Sequence, residues 1–236
     1  ILSSLVIVSL IAATTIPIDT FKQWNNPNNW ISYPKATMPI WVNYFLEDKI
    51  PEHVIIENPS TITKKDVISV TSHQFAIEYT YDDFPNDFIY EFSAEYSDSP
   101  LLQISVIRPD QNKMLLLSTS LPYSDEKITH HQRIFSTDDS IKKNAQIESA
   151  KMKLFRENIS SEDLVFTDKY GNVLKGNYLF LVNLYGIKDH AQIIDSKLIL
   201  GGKAFGIMGT DELRRDLIVG LLWGTPLALL IGISVA

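Results

Sequence analysis

Apolar positions divide the chain into three regimes. From Ile1 to Ile18 and again from Leu217 to Ala236 no residue is charged, while charged and apolar positions are interleaved between them. A hydrocarbon core about 30 Å thick takes roughly 20 helical residues. The pattern therefore predicts a transmembrane helix starting over 217–236 and the end of another over 1–18. The six Leu, three Ile and two Val of the last segment each favour insertion by about 0.3–0.6 kcal/mol, which weighs against a buried core helix. The alternative for 1–18 is the apolar region of a secretory signal, which calls for a basic flank and a shorter apolar core. Since the chain starts on Ile1 and stops on Ala236, it is expected to be a piece of a longer membrane protein.

Between the apolar ends the period becomes two from Asp66 onward. In His73–Tyr81 the residues Phe75, Ile77, Tyr79 and Tyr81 share one strand face, and Phe88, Tyr90, Phe92, Ala94 and Tyr96 repeat the pattern. Further strands are predicted over Leu101–Arg108, Lys113–Ser118, Leu164–Thr167, Asn177–Tyr185 and Ala191–Leu200. Turn chemistry separates them at Asp82–Asn86, Pro109–Asn112 and Lys169–Asn172, and after Gly186. Regular recurrence of strands and turns argues for an antiparallel β-sandwich. One helix is expected inside it, over 138–159, with Ile141, Ala145, Met152, Phe155 and Ile159 at helical spacing and Ser136–Asp138 as capping candidates.

Proline and glycine refine these boundaries. Six of the 11 prolines fall in Pro17–Pro59, and all ten glycines follow Asp168. Residues before proline are pushed toward extended geometry, so 19–60 reads as an extended linker. Its Trp24, Trp30, Tyr33, Trp41, Tyr44 and Phe45 suit a segment lying against the domain or the membrane surface. The expected organisation is mixed in class, with transmembrane α-helices flanking a mainly antiparallel β-sandwich. It comprises 1–18 (end of the first transmembrane helix), 19–60 (linker), 61–202 (sandwich with the helix 138–159), 203–216 (a Gly-rich passage and charged motif) and 217–236 (start of the second transmembrane helix).

The net charge of −7, from 21 basic and 28 acidic residues, lies wholly within 19–216. No basic stripe appears, which argues against a nucleic-acid partner. There is no cysteine, which excludes disulfides and thiolate chemistry. Adjacent His130 and His131 would point to opposite faces of a strand and cannot chelate as a pair. Asp82-Asp83 with Asp87, and Asp138-Asp139, lack the spacing of an EF-hand loop. Neither a Gly-x-Ser-x-Gly elbow nor a His-Glu-x-x-His motif occurs. Gly201, Gly202, Gly206 and Gly209 are not followed by the Lys-Ser/Thr of a phosphate loop. Asn158-Ile-Ser160 is a glycosylation acceptor if this side is extracellular. No catalytic, cofactor-binding or metal residue is assigned, and no cofactor is expected.

The C-terminal segment carries a second pattern. Gly220, Gly224, Ala228, Gly232 and Ala236 recur every four residues, and small residues in this register let another helix approach closely. Pro226 falls among them and should kink the helix, a defect that neighbouring helices support. A one-pass anchor needs neither feature, so this helix is expected to pack in a bundle.

Just before it, Gly209-Thr210-Asp211-Glu212-Leu213-Arg214-Arg215-Asp216 resembles the Gly-Thr-Asp-x-x-Gly-Arg-Asp signature of dipeptide/oligopeptide ABC transporter permeases. The resemblance is to the second permease subunit of the binding-protein-dependent type, and covers about thirty residues of 236. Arg214 stands where the family has glycine. The resemblance implies a multi-pass subunit of the cell membrane, with 19–216 as an enlarged first extracytoplasmic loop like that of some archaeal members. It implies an importer of peptides or similar small solutes, in which the chain is no enzyme and ATP is hydrolysed elsewhere. The implied partners are a second permease subunit, two ATP-binding subunits, an extracytoplasmic substrate-binding protein and membrane lipid. Gly209, Thr210, Asp211, Glu212, Leu213, Arg215 and Asp216 become an interfacial helix that contacts the partner subunit at the outer gate. The plainer alternative is a helix N-terminus favoured by Asp211 and Glu212, with Arg215 paired to Asp211 at i, i+4. Gly220, Gly224, Ala228 and Gly232 become packing positions, and Pro226 a kink. Two other classes fit less of the pattern. One is a cell-surface β-sandwich on a single C-terminal anchor, with a mature N-terminus near Ala13. The other is a membrane-tethered hydrolase built from its scattered Ser, His and Asp residues.

Overall fold

The computed structural model describes residues 2–64, 68–152, 160–187 and 191–235. Near the start lie helices α1 (Leu2–Thr15) and α2 (Ile18–Lys22). Seven strands follow: β1 (Val54–Ile56), β2 (Ser60–Lys64), β3 (Ile68–Tyr79), β4 (Asp87–Asp98), β5 (Leu101–Ile107), β6 (Lys113–Ser120) and β7 (Ser124–Phe135). Helices α3 (Asp139–Lys151) and α4 (Ser161–Phe166), strands β8 (Gly176–Ile187) and β9 (Ala191–Gly201), and helix α5 (Leu217–Val235) complete the order. The chain divides into two compact units, one of Ile1–Glu47 with Gly202–Ala236 and one of Asp48–Gly201.

The second unit is an antiparallel β-sandwich. One sheet has the order β1-β9-β4-β7 and the other β2-β3-β8-β5-β6. Alternation builds its core: Phe75, Ile77 and Tyr79 on β3, Phe88 to Tyr96 at even positions on β4, and Phe180, Val182 and Leu184 on β8 are all buried. Each such apolar side chain contributes roughly 1.5–3 kcal/mol of burial. Rings interlock across the core, with Phe75 against Tyr90 at 6.0 Å and Phe88 against Phe180 at 5.8 Å.

Two expectations are corrected here, and one strand was not foreseen. Leu164–Thr167, expected as a strand, belongs instead to helix α4 and its C-cap. Ser160 caps the helix by accepting the Asp163 N–H, acidic Glu162 and Asp163 fill the first turn, and buried Arg108 donates to the carbonyls of Leu164 and Thr167 at the other end. Strand β7 has no apolar alternation to announce it. It is an edge strand held in register on β4, with Arg133 paired to Glu91 and Lys127 to Glu95. Residues 19–60, expected as an extended linker, contain α2, two 3-10 turns (Pro27–Asn29 and Ile40–Tyr44) and β1. Prolines at or just before the first residue of a turn favour this outcome. The inserted helix is seen as α3, whose Ile141 and Ala145 are buried; Phe155 and Ile159 lie outside the described residues, as does the segment after Ile187 where a turn was expected.

In the first unit α1 packs along α5, and α2 also touches α5. Hydroxyls of Ser9, Thr14 and Thr15 on α1 and of Thr225 and Ser234 on α5 donate to carbonyls of their own helices, which satisfies these polar groups within apolar segments. Among the described residues α5 is the one helix long and apolar enough to cross a membrane, with mean hydropathy 2.1. It runs through Pro226 without a break.

Candidate functional site

The charged segment before α5 forms a tight hairpin in place of the expected interfacial helix. Thr210 bridges to Asp216, and at the neck the Asp211 N–H donates to the Arg215 carbonyl at 3.2 Å. The Asp211 carboxylate organises the turn. Its Oδ1 accepts the N–H groups of Leu213 and Arg215, both at 2.9 Å, and its Oδ2 takes the Arg215 guanidinium at 2.7 Å (Nε) and 2.6 Å (Nη2). Burial works to raise this carboxyl, but the hydrogen bonds from Arg215 and the backbone outweigh it and hold it below its ordinary value. Asp211 at i and Arg215 at i+4 do pair, across a turn rather than along a helix.

Two positions in this hairpin require left-handed backbone. Gly209 has φ 75° and lies directly against the Thr37 carbonyl, so a Cβ there has no room. Arg214 has φ 66° without being glycine. The turn thus forms with an arginine in the left-handed position. The Arg214 guanidinium donates to the Tyr33 carbonyl.

Thr210, 4% exposed, ties the hairpin to residues 34–37. Its hydroxyl donates to the Pro34 carbonyl at 2.8 Å and accepts from the Thr37 N–H at 3.2 Å and the Thr37 hydroxyl at 2.9 Å. Glu212 reaches Lys35 at 3.1 Å on the surface, a pairing worth little in water. Leu213 is exposed. Asp216 accepts the Ile218 N–H at 3.1 Å and caps α5; burial pushes its carboxyl above the usual range.

The small-residue face of α5 is split. Gly220 is already occupied: a Cβ there would come within 2.8 Å of the Trp24 ring, over which the Arg215 guanidinium sits at 4.8 Å. Gly224 and Gly232 have nothing within 4 Å of that position. Together with Ala228, Leu221, Leu229 and Leu5 of α1 they line an open apolar groove. Trp24, Tyr33 and Thr37 were legible only as members of an aromatic, proline-rich stretch; nothing in their spacing announces the hairpin they hold.

The sandwich contains two polar assemblies. On the outer face of the four-stranded sheet Glu91, Ser93, His131, Arg133, Asp195 and Lys197 line a shallow depression. Glu91 is held by Arg133 at 2.7 Å and Lys197 at 3.4 Å, and Ser93 meets His131 at 2.7 Å. His130 points the other way, toward Tyr96. Between the sheets His73 Nδ1 lies 2.6 Å from Ser196 Oγ. This serine–histidine contact is a core feature, since the two residues are 5% and 3% exposed and a substrate has no route to the hydroxyl. Burial pushes the His73 imidazole down. Among the described residues no group of three or more His, Asp or Glu converges to hold a metal.

No family model and no curated protein matches the chain. Solved structures with a similar sandwich include the C-terminal CBM6 of LamC from Zobellia galactanivorans. It is 12% identical, with 63% of this chain and 98% of that one covered, at a TM-score of 0.28. TmCBM61 in complex with β-1,4-galactotriose is 7% identical over 72% and 95%, at 0.26. Dimeric latent PorU from Porphyromonas gingivalis is 9% identical over 66% and 13%, at 0.32. The chain thus spans 13% of PorU, and 18% of the tailspike protein 4 domain of bacteriophage CBA120. Likeness at these values goes no further than the sandwich class, which the two antiparallel sheets of this chain establish by themselves.

Proposed function

We propose that this chain is part of a membrane permease subunit of an ABC importer for peptides or similar small solutes, with the sandwich outside the membrane at the mouth of the pathway. In this reading solute passes between two paired permease subunits, separate ATP-binding subunits supply the energy, and a substrate-binding protein delivers the cargo. The chain itself contributes a helix wall, α5, and a rigid clamp at the outer end of that wall. The observation that carries the reading is the divided face of α5. One small residue, Gly220, is used within the chain by Trp24, α1 packs alongside, and Gly224 and Gly232 remain open for another helix. The hairpin adds support, because it matches five of the six residues that the permease signature specifies, Gly209, Thr210, Asp211, Arg215 and Asp216, and it is held by Thr37, Pro34 and Tyr33.

A second reading, a cell-surface β-sandwich on a single anchor, is favoured by a different observation. The sandwich is a compact unit of its own, and α5 is the one helix among the described residues with the length and hydropathy of a span. N-terminal sequencing of the membrane-purified protein separates the two. A permease subunit keeps residues 1–18 and copurifies in mild detergent with a second permease subunit and ATP-binding subunits, identified by mass. Cleavage near Ala13 and isolation as a lone chain would overturn the permease reading.

A further inference from the structure

We propose that Trp41, Tyr44, Phe45 and Ile207 form a ledge that sits in the headgroup–acyl boundary of the bilayer that α5 enters. The patch is exposed and largely aromatic: Tyr44 is 86% exposed, Phe45 82%, Ile207 63% and Trp41 47%. Soluble surfaces seldom leave such a cluster in water. Its shape is built. The Trp41 indole N–H donates to the Ile207 carbonyl at 2.9 Å, and the Trp41 and Phe45 rings meet edge to face at 6.4 Å. The Ile40 N–H donates to Gly206 O at 3.0 Å, and Met38 exchanges backbone hydrogen bonds with Lys203 and Phe205 at 2.9 and 2.8 Å. Two distant stretches are thereby locked into one surface.

Its place in the unit points to lipid. The Leu217 N–H, at the start of α5, donates to Gly209 O at 3.1 Å, only two residues from Ile207. Gly206 lies beside the Asp216 carboxylate, the last charge before the helix. The ledge therefore stands at the level where the chain loses its charges and the apolar span begins. No residue from Ala36 to Leu46 or from Ala204 to Gly209 is charged, so the two stretches that form the ledge present no charge of their own to a protein partner. A zwitterionic bilayer boundary, which favours Trp and Tyr, fits this composition.

The proposal rests on α5 lying in a membrane, so its test must report on both. The full chain is reconstituted in phosphatidylcholine vesicles brominated either near the glycerol end or near the methyl end of the acyl chains. Tryptophan quenching is then compared for the unaltered chain, Trp41→Phe and Trp223→Phe. The expected result is a component, lost in Trp41→Phe, that shallow bromines quench more strongly than deep ones. A second component, lost in Trp223→Phe, reports α5 itself. Quenching of the Trp223 component alone would overturn the ledge and leave the membrane helix standing. Quenching of neither would overturn both. A Trp41 component shielded from aqueous acrylamide but untouched by brominated lipid would mean that protein covers the patch, and would also overturn the proposal. Because Trp24 and Trp30 also emit in the unaltered chain, Tyr44→Trp, at a position 86% exposed, keeps the test readable if Trp41→Phe folds poorly. It should add a component that shallow bromines quench more strongly than deep ones, and an added component that lipid does not quench would overturn the ledge.

Discussion

Arg214 holds φ 66°, a left-handed conformation that costs an L side chain roughly 1–2 kcal/mol. The guanidinium offsets this by donating to the Tyr33 carbonyl. Arg214→Ala keeps the strain and loses the bond, whereas Arg214→Gly loses both. The alanine variant is expected to be less stable than the glycine variant by about 1 kcal/mol, measured by denaturant unfolding of the full chain in detergent; equal stabilities would mean that the backbone at 214 is not strained. Glu162 sets a pH dependence in the sandwich. Burial, with repulsion from Asp163 and Asp87, pushes its carboxyl up to about 7. An acid raised on folding favours the fold below its unfolded pKa and loses that contribution as pH rises through its folded one. Stability should therefore fall by about 3 kcal/mol between pH ~4 and pH ~8 on account of this group. In Glu162→Gln that part of the slope should vanish from melting curves recorded across the same range. Neither effect was legible beforehand: Arg214 was visible as a departure from the signature, but its dihedral was not, and Glu162 carried no signal between the expected helix and strand until the fold closed over it.

At the scale of elements, alternating apolar residues were a reliable guide where a strand buries one face. They marked β3, β4, β5 and β8 within a few residues. They were silent for β7, whose register on β4 comes from backbone pairing and cross-strand ions, and for short β1 and β2. They misled at α4, where a run of apolar residues too short to reveal its period became a helix because Ser160 and Arg108 supply its caps. The face of α5 yields a prediction at this scale. Gly220→Ala drives a methyl into the Trp24 ring and should lower the melting temperature of the isolated chain, by about 1–3 kcal/mol in stability as overpacking does. Gly224→Leu meets open space within the chain and should leave that melting temperature unchanged while impairing assembly with a partner helix on size-exclusion chromatography. Equal loss of stability in both variants would show that the groove is filled from within.

For the whole molecule, the sandwich spans Asp48–Gly201 and carries its own core. A fragment of those residues should fold alone, giving a β-rich circular dichroism spectrum and a cooperative melt; a chain without a cooperative transition would mean that the sandwich needs the rest of the protein. The boundary falls at 48, well inside the expected linker, because β1 pairs with β9 while the aromatic stretch before it pairs with residues 203–211. Composition and period by themselves determined that apolar helices bracket a two-layered β domain, since the solvent each segment can tolerate follows from charge and from which faces are apolar. They also brought the eight residues before α5 to notice. Tertiary structure alone decided that those residues form a hairpin clasped by Thr37 and Tyr33, that Trp24 fills the first rung of the small-residue face, and that the serine–histidine pair is sealed in the core. These outcomes depend on contacts between segments far apart in the chain, where single hydrogen bonds and the space left by a missing Cβ outweigh local preference.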